Sequence, residues 1–157
     1  MERKKENSNR KYQQDGFQEE VLDVRRVARV VAGGKRLSFR ATVAVGDPEK
    51  HLIGIGVGKG RDVPLAIQKA INEAKKNLIS VKVVNETIPF EVSAKYKAAE
   101  ILLKPAKKGK GIIAGGVVRN ILKLAGIPNA SAKILGNTGN AILNGRATLL
   151  ALEKLNS

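Results

Sequence analysis

The sequence predicts an α+β protein built from two small units, the first running β-β-β-α. Three patterns carry that prediction. Residues 36–45 alternate between apolar and polar side chains, the period of a half-buried strand. Residues 53–58 alternate a β-branched residue with glycine. From Ile67 to Leu78 apolar residues recur every three or four positions, the period of a helix packed on one side. Strand-like and helix-like patterns begin again after the joint at 81–86, which places a second unit there. The expected divisions are an arm at 1–18, a first unit at 19–82 and a second at 83–157.

Residues 1–18 hold mostly Lys, Glu, Asn, Gln and Ser and are expected to form a disordered basic arm. The first strand is expected at 21–31. Leu22, Val24, Ala28 and Val30 are assigned to one face and Asp23, Arg25 and Arg29 to the other, with Arg26 and Val27 breaking the alternation. Ala32-Gly33-Gly34 is a turn signal, because glycine tolerates positive φ. In the second strand Leu37, Phe39, Ala41, Val43 and Val45 point to the core, while Arg36, Ser38, Arg40 and Thr42 point away. Gly46-Asp47-Pro48 turns the chain again.

The third strand puts Ile53, Ile55 and Val57 on a core face and Gly54, Gly56 and Gly58 on the other. Three glycines on one face imply a very close backbone, either RNA or a packed protein neighbour. The run lacks the spacing of a dinucleotide fingerprint, and Gly58-Lys59-Gly60 lacks the Ser or Thr of a phosphate loop. His51, beside the turn, is expected to be exposed. The helix has Asp62 as its cap, Pro64 in its first turn, and a stripe of Ile67, Ala70, Ile71, Ala74 and Leu78. In the second unit, strands are expected at 88–93, 98–105 and 130–135. Helices are expected at 117–125 and 140–155, the last with Gly145 as a weak point.

Charge narrows the function. The chain has 157 residues and a net charge of +15. A polyanionic partner accounts for such an excess, because phosphate contacts release condensed counterions. Between Ile101 and Leu152 there is no Asp or Glu, whereas Lys104, Lys107, Lys108, Lys110, Arg119, Lys123, Lys133 and Arg146 fall there. Aromatic residues make up only 3%, too few for a base-stacking platform, so recognition of backbone shape and phosphate is expected. No segment sets an apolar face against a Lys/Arg face, and no apolar run approaches roughly 18 residues, so no membrane partner is expected. The first residues carry no apolar stretch, so no secretory signal is expected.

With no Cys, one His and scattered carboxylates, the chain offers neither a nucleophile pair nor a metal cluster. Neither enzyme activity nor a cofactor is expected. Instead, cations mark three candidate RNA-binding regions. Arg25, Arg26, Arg29, Lys35, Arg36 and Arg40 lie on the first hairpin. Lys59 and Arg61 precede a helix N-terminus, whose free N–H groups attract phosphate. Lys107, Lys108 and Lys110 form a glycine-rich loop leading into the helix of Arg119, with phosphate or an acidic protein neighbour as partner.

Residues 31–39 (VAGGKRLSF), 54–59 (GIGVGK) and 63–70 (VPLAIQKA) resemble the bacterial small-subunit ribosomal protein five family. So do residues 104–106 (KPA), 109–116 (GKGIIAGG), 124–127 (LAGI) and 146–148 (RAT), in the family's order. The resemblance implies that the first unit is a double-stranded-RNA-binding-like domain. It implies that the second is a smaller α/β domain with a βαβ crossover, a fold also seen in some small-molecule kinases. It further implies binding to small-subunit ribosomal RNA in the cytoplasm, beside small-subunit ribosomal proteins four and eight. Messenger RNA would enter nearby, and decoding accuracy would be affected. The chain departs from the family at 136–145 (GNTGNAILNG), where an Asn-Pro helix start is usual and this segment is longer by one residue. The protein-eight contact is therefore not carried over there. Two rivals stand beside this assignment: a free double-stranded-RNA-binding protein, and a small-molecule kinase. Residues 107–116 lack the Ser or Thr that the kinase's phosphate loop requires.

Overall fold

A computed structural model describes residues 16–157. The expected arm lies almost entirely outside the described residues. Its last two positions are already part of the fold: Phe17 packs on the first core and Gln18 opens the first strand.

Strands β1 (Gln18–Val31), β2 (Gly34–Asp47), β3 (Leu52–Gly60) and β4 (Ile79–Ser80) form an antiparallel sheet in that order. Helix α1 (Val63–Lys76) connects β3 to β4. The second sheet contains β5 (Val92–Tyr96), β6 (Ala99–Pro105), β7 (Ile112–Ile113) and β8 (Ala130–Ile134), ordered β5-β6-β8-β7. β7 and β8 are parallel and joined by α2 (Gly116–Leu124), which makes a βαβ crossover. Helix α3 (Ala141–Lys154) closes the chain. The β-β-β-α order of the first unit and the α/β second unit are those the sequence predicts.

The three glycines of β3 are explained by α1. A Cβ on Gly54, Gly56 or Gly58 would collide with the carbonyl oxygen of Ala74, Ala70 or Ala66 respectively. The close backbone is therefore the protein's own helix. Ala66, Ala70 and Ala74 are buried one turn apart, so small residues on both sides bring helix and strand together. Asp62 precedes the helix but its side chain makes no capping bond; its backbone carbonyl accepts from Ala66 N–H at 3.1 Å.

The first sheet is covered on both faces. On one side Ala41, Val43 and Val45 meet α1 through Ala66, Ala70, Ile71 and Ala74. On the other, Ala44, Ile53 and Ile55 join a core with Ile101, Leu103, Val118, Ile121, Leu122 and Leu152 of the second unit. The units thus share one core. This corrects the expectation for Thr42, which points away from α1 but is 1% exposed beneath the second unit. Gly145 is corrected too. It is buried in α3, where an added Cβ would lie 2.8 Å from Ile55 Cδ1, so it is a close-approach point between units.

Other expectations shift locally. The β1–β2 register slips between Val21 and Asp23, so Leu22 turns to the second-unit core while Val24 stays on the α1 side. Past the bulge the break remains: Arg26 lies on the apolar face with Val24 and Ala28, and Val27 on the face of Arg25 and Arg29. The strand expected at 88–93 begins only at Val92; Ile88 is instead a buried anchor. The joint at 81–86 is not a loose linker: Val81 is buried and its N–H donates to the His51 carbonyl at 2.8 Å. His51 itself is half-buried at φ 53°, with Nδ1 3.0 Å from the Ala125 carbonyl.

Candidate nucleic-acid interface

The hairpin's arginines are set by strand register. Arg25 lies opposite Arg40, and Arg29 opposite Arg36. Arg40 is also opposite Lys59 of β3, so Arg25, Arg40 and Lys59 form one cross-strand row. Neighbouring strands are about 4.8 Å apart, so these cations repel unless an anion lies among them. This is the same sheet face that Thr42 and Ala44 bury further in; beyond them the face emerges from under the second unit. Arg25, Arg29, Arg36 and Lys59 are exposed and Arg40 is half-buried. Among the described residues, Arg25 alone of these five has a carboxylate partner, Asp23 at 2.9 Å.

Arg26 and Lys35 fall on the opposite face, since they pair with Phe39 and Val30. There they stand among exposed Val24, Ala28, Val30 and Leu37. The six hairpin cations therefore divide between two faces.

Lys59 and Arg61 flank the start of α1 and are exposed, as is Asp62. Asp62 leaves the first-turn amides uncapped by any side chain, yet places a negative group beside them. The row with Arg40 is thus a better-formed positive site for Lys59 than the helix end.

Lys107, Lys108 and Lys110 are exposed on a hydrogen-bonded turn, with Lys110 N–H donating to the Lys107 carbonyl at 3.1 Å. The next residue, Gly111, donates its N–H to Asn129 Oδ1 at 3.0 Å, and its carbonyl accepts from Ala130 N–H. The turn is therefore tied to the segment that follows α2. The N-terminus of α2, carrying Arg119, lies beyond the other end of β7. Lys108 also pairs with Glu86 at 3.2 Å, an exposed contact of small energetic weight.

The acid-free stretch after Ile101 is spread over several surfaces. Lys104 and Lys133 share the outer face of the second sheet, Arg119 and Lys123 lie on α2, and Arg146 on α3. Sequence inspection missed one juxtaposition, because its members lie 50 positions apart: Arg146 Nη1 donates to the Tyr96 hydroxyl at 3.0 Å. That hydrogen bond and the Arg146 charge, with a smaller contribution from Lys97, lower the phenol's pKa from its ordinary value.

Among the described residues no group of three His, Cys, Asp or Glu side chains is placed to hold a metal ion. No helix among them is long and apolar enough to cross a membrane.

Two family models match the chain. The one described as ribosomal protein S5, N-terminal domain, covers residues 17–82, and the one described as ribosomal protein S5, C-terminal domain, covers 94–157. The chain is 48% identical over 146 residues to the small ribosomal subunit protein uS5 of Thermotoga neapolitana, spanning 93% of this chain and 81% of that one. It is 47% identical over 145 residues to the uS5 protein of a Campylobacter jejuni strain, 92% of this chain and 97% of that one. To the uS5c protein of Spinacia oleracea it is 48% identical over 142 residues, 90% of this chain but 46% of the longer spinach protein.

Proposed function

The chain belongs to the ribosomal protein S5 family, and from that premise we propose that it is a structural, non-enzymatic component of the small ribosomal subunit that binds ribosomal RNA. The observation that carries the RNA-binding role is the row Arg25–Arg40–Lys59, continued by Arg29–Arg36. In water a like-charge pair at 4 Å repels by about 1 kcal/mol. A phosphodiester backbone laid along the row converts that repulsion into attraction and releases counterions. Arginine's fork adds paired hydrogen bonds to phosphate oxygens.

The Lys107–Lys110 turn and the cations around Arg61 and Arg119 are secondary contacts. Arg26 and Lys35 reach a different part of the RNA from the arginine row. Small-subunit proteins four and eight are the proposed protein neighbours, messenger RNA passes nearby, and the hairpin contributes to decoding accuracy. The chain therefore works in the cytoplasm, within the subunit.

The test is binding of the full chain to small-subunit ribosomal RNA across a salt series, with Arg36→Gln plus Arg40→Gln as the variant. The logarithm of affinity should fall with the logarithm of salt by about 0.7–0.9 per phosphate engaged. The variant should fold normally, bind more weakly and show a shallower slope. A salt-independent wild type would reduce the charge to a solubility device. A variant with unchanged slope would remove the row from the interface.

A further inference from the structure

We propose that Tyr96, Lys97 and Arg146 form a separate phosphate site on the second unit, one that takes the phosphodiester backbone of RNA. The site rests on the RNA-binding role proposed above and extends it to residues outside the three cationic regions.

Tyr96 ends β5 and Lys97 occupies the turn into β6, where Tyr96 pairs with Ala99. Lys97 adopts φ 52°. A lysine in this left-handed region carries a backbone cost that glycine or asparagine would lessen. Its side chain approaches the ring: Lys97 Nζ lies 5.8 Å from the Tyr96 centroid. Arg146 Cζ lies 5.8 Å from the same centroid. Two cations thus stand beside one phenol. Neither has a carboxylate within 4.0 Å among the described residues.

Tyr96 and Arg146 are held in place before any ligand arrives. Tyr96 packs its ring against the shared core. Arg146 projects from α3, whose Gly145, Ala147 and Thr148 are buried. The hydrogen bond to the tyrosine hydroxyl uses one N–H of the Arg146 fork. Among the described residues nothing else takes up the other guanidinium N–H groups, the hydroxyl's own proton or the Lys97 ammonium. Non-bridging phosphate oxygens accept several such donors at once. An acidic protein segment would also answer the charge. The phosphodiester fits better, because a tetrahedral anion can accept from a planar fork, a hydroxyl and an ammonium on different sides.

The experiment uses the full chain carrying Tyr12→Phe, which leaves Tyr96 as its sole tyrosine. The probe is an RNA duplex of about 16 base pairs. Binding should change Tyr96 fluorescence. Lys97→Gln plus Arg146→Gln should weaken binding about tenfold or more and reduce the logarithmic salt slope by roughly 2. Arg146→Lys, which keeps the charge but not the fork, should fall between. Thermal unfolding of each variant confirms that the fold is kept. Arg36→Gln plus Arg40→Gln is the control for the hairpin. If that control loses affinity while the Lys97/Arg146 variant binds like wild type, the hairpin assignment stands and this site is overturned. If the wild-type chain does not bind the duplex, the RNA-binding role fails and the site fails with it. A Tyr96 response to poly-glutamate but not to RNA overturns the site in favour of a protein contact.

Discussion

The β1–β2 hairpin keeps the same alternation from end to end, yet its two halves meet opposite surroundings. In β2 every residue from Ala41 to Asp47 is buried, whereas residues 34–37 are exposed and 38–40 only half-buried. Near the β2–β3 turn, α1 covers one face and the second unit the other. Near the Gly33-Gly34 tip, neither reaches. The inner half therefore holds the protein together, and the outer half offers Arg25, Arg29, Arg36 and Arg40 on one face and apolar side chains, with Arg26 and Lys35 among them, on the other. Strand patterning reports which residues share a face; it does not report what covers that face.

The largest effect should come from the inner half. Gly56→Val places a side chain where the Ala70 carbonyl already sits, so α1 must leave the sheet. Destabilisation of roughly 3–5 kcal/mol is expected by urea unfolding, enough to unfold many domains of this size. A loss under about 1 kcal/mol would show that the glycine face is not close-packed. Next is Ile55→Ala, which removes a side chain shared by the two units. It should cost about 2–4 kcal/mol and leave a single unfolding transition. Two separated transitions would mean that the units unfold independently and that the shared core is not cooperative.

The outer half should behave differently. Val30 is 75% exposed and Leu37 53%. Val30→Thr or Leu37→Thr should change stability by no more than about 0.5 kcal/mol. A loss like that of Ile55→Ala would mean that something covers the tip in the free protein.

Two titrations give the smallest effects and sharpen the contrast. Glu19, at the start of β1, has a side chain only 13% exposed and a buried oxygen without a hydrogen-bond partner, 3.8 Å from Lys75 Nζ. Burial raises its pKa and the Lys75 charge only partly offsets this. Its neutral form is therefore favoured in the fold: its contribution is fully present below the unfolded carboxylate pKa and is lost as pH rises through the folded one. Glu19→Gln should raise the melting temperature slightly at neutral pH, with the difference vanishing in acid. Tyr96, in the Tyr12→Phe background, should ionise below the ordinary tyrosine pH by ultraviolet titration, and Arg146→Gln should move it back up. The phenolate-linked stability is present above the unfolded pKa and is lost as pH falls through the folded one. An unmoved titration would mean that the Arg146 contact does not persist in solution.

Much of the fold was legible because its signals are local. The alternation at 36–45, the Gly-Gly turn and the Ala/Ile stripe of α1 each need only a few neighbouring residues to be read. The facing of Arg25 with Arg40 and Arg29 with Arg36 follows from the same period of two around a tight turn. The β5 start was misplaced because Ile88 is as apolar as a strand residue, although it serves as a buried anchor. The βαβ crossover entered through family resemblance, since β7 is only two residues long and has no periodicity of its own.

The sequence by itself determined the charge excess, the glycine face of β3, the β-β-β-α order and the arginine face of the hairpin. Tertiary structure alone decided what each face meets. It put α1 against the glycines, the second unit over Thr42 and Ala44, Lys59 beside Arg40, and Arg146 beside Tyr96. Periodicity is a property of neighbours along the chain, whereas these contacts join residues far apart in it. They form because burying apolar surface from both units in one core is favourable, and no local pattern encodes which distant surface will do the burying.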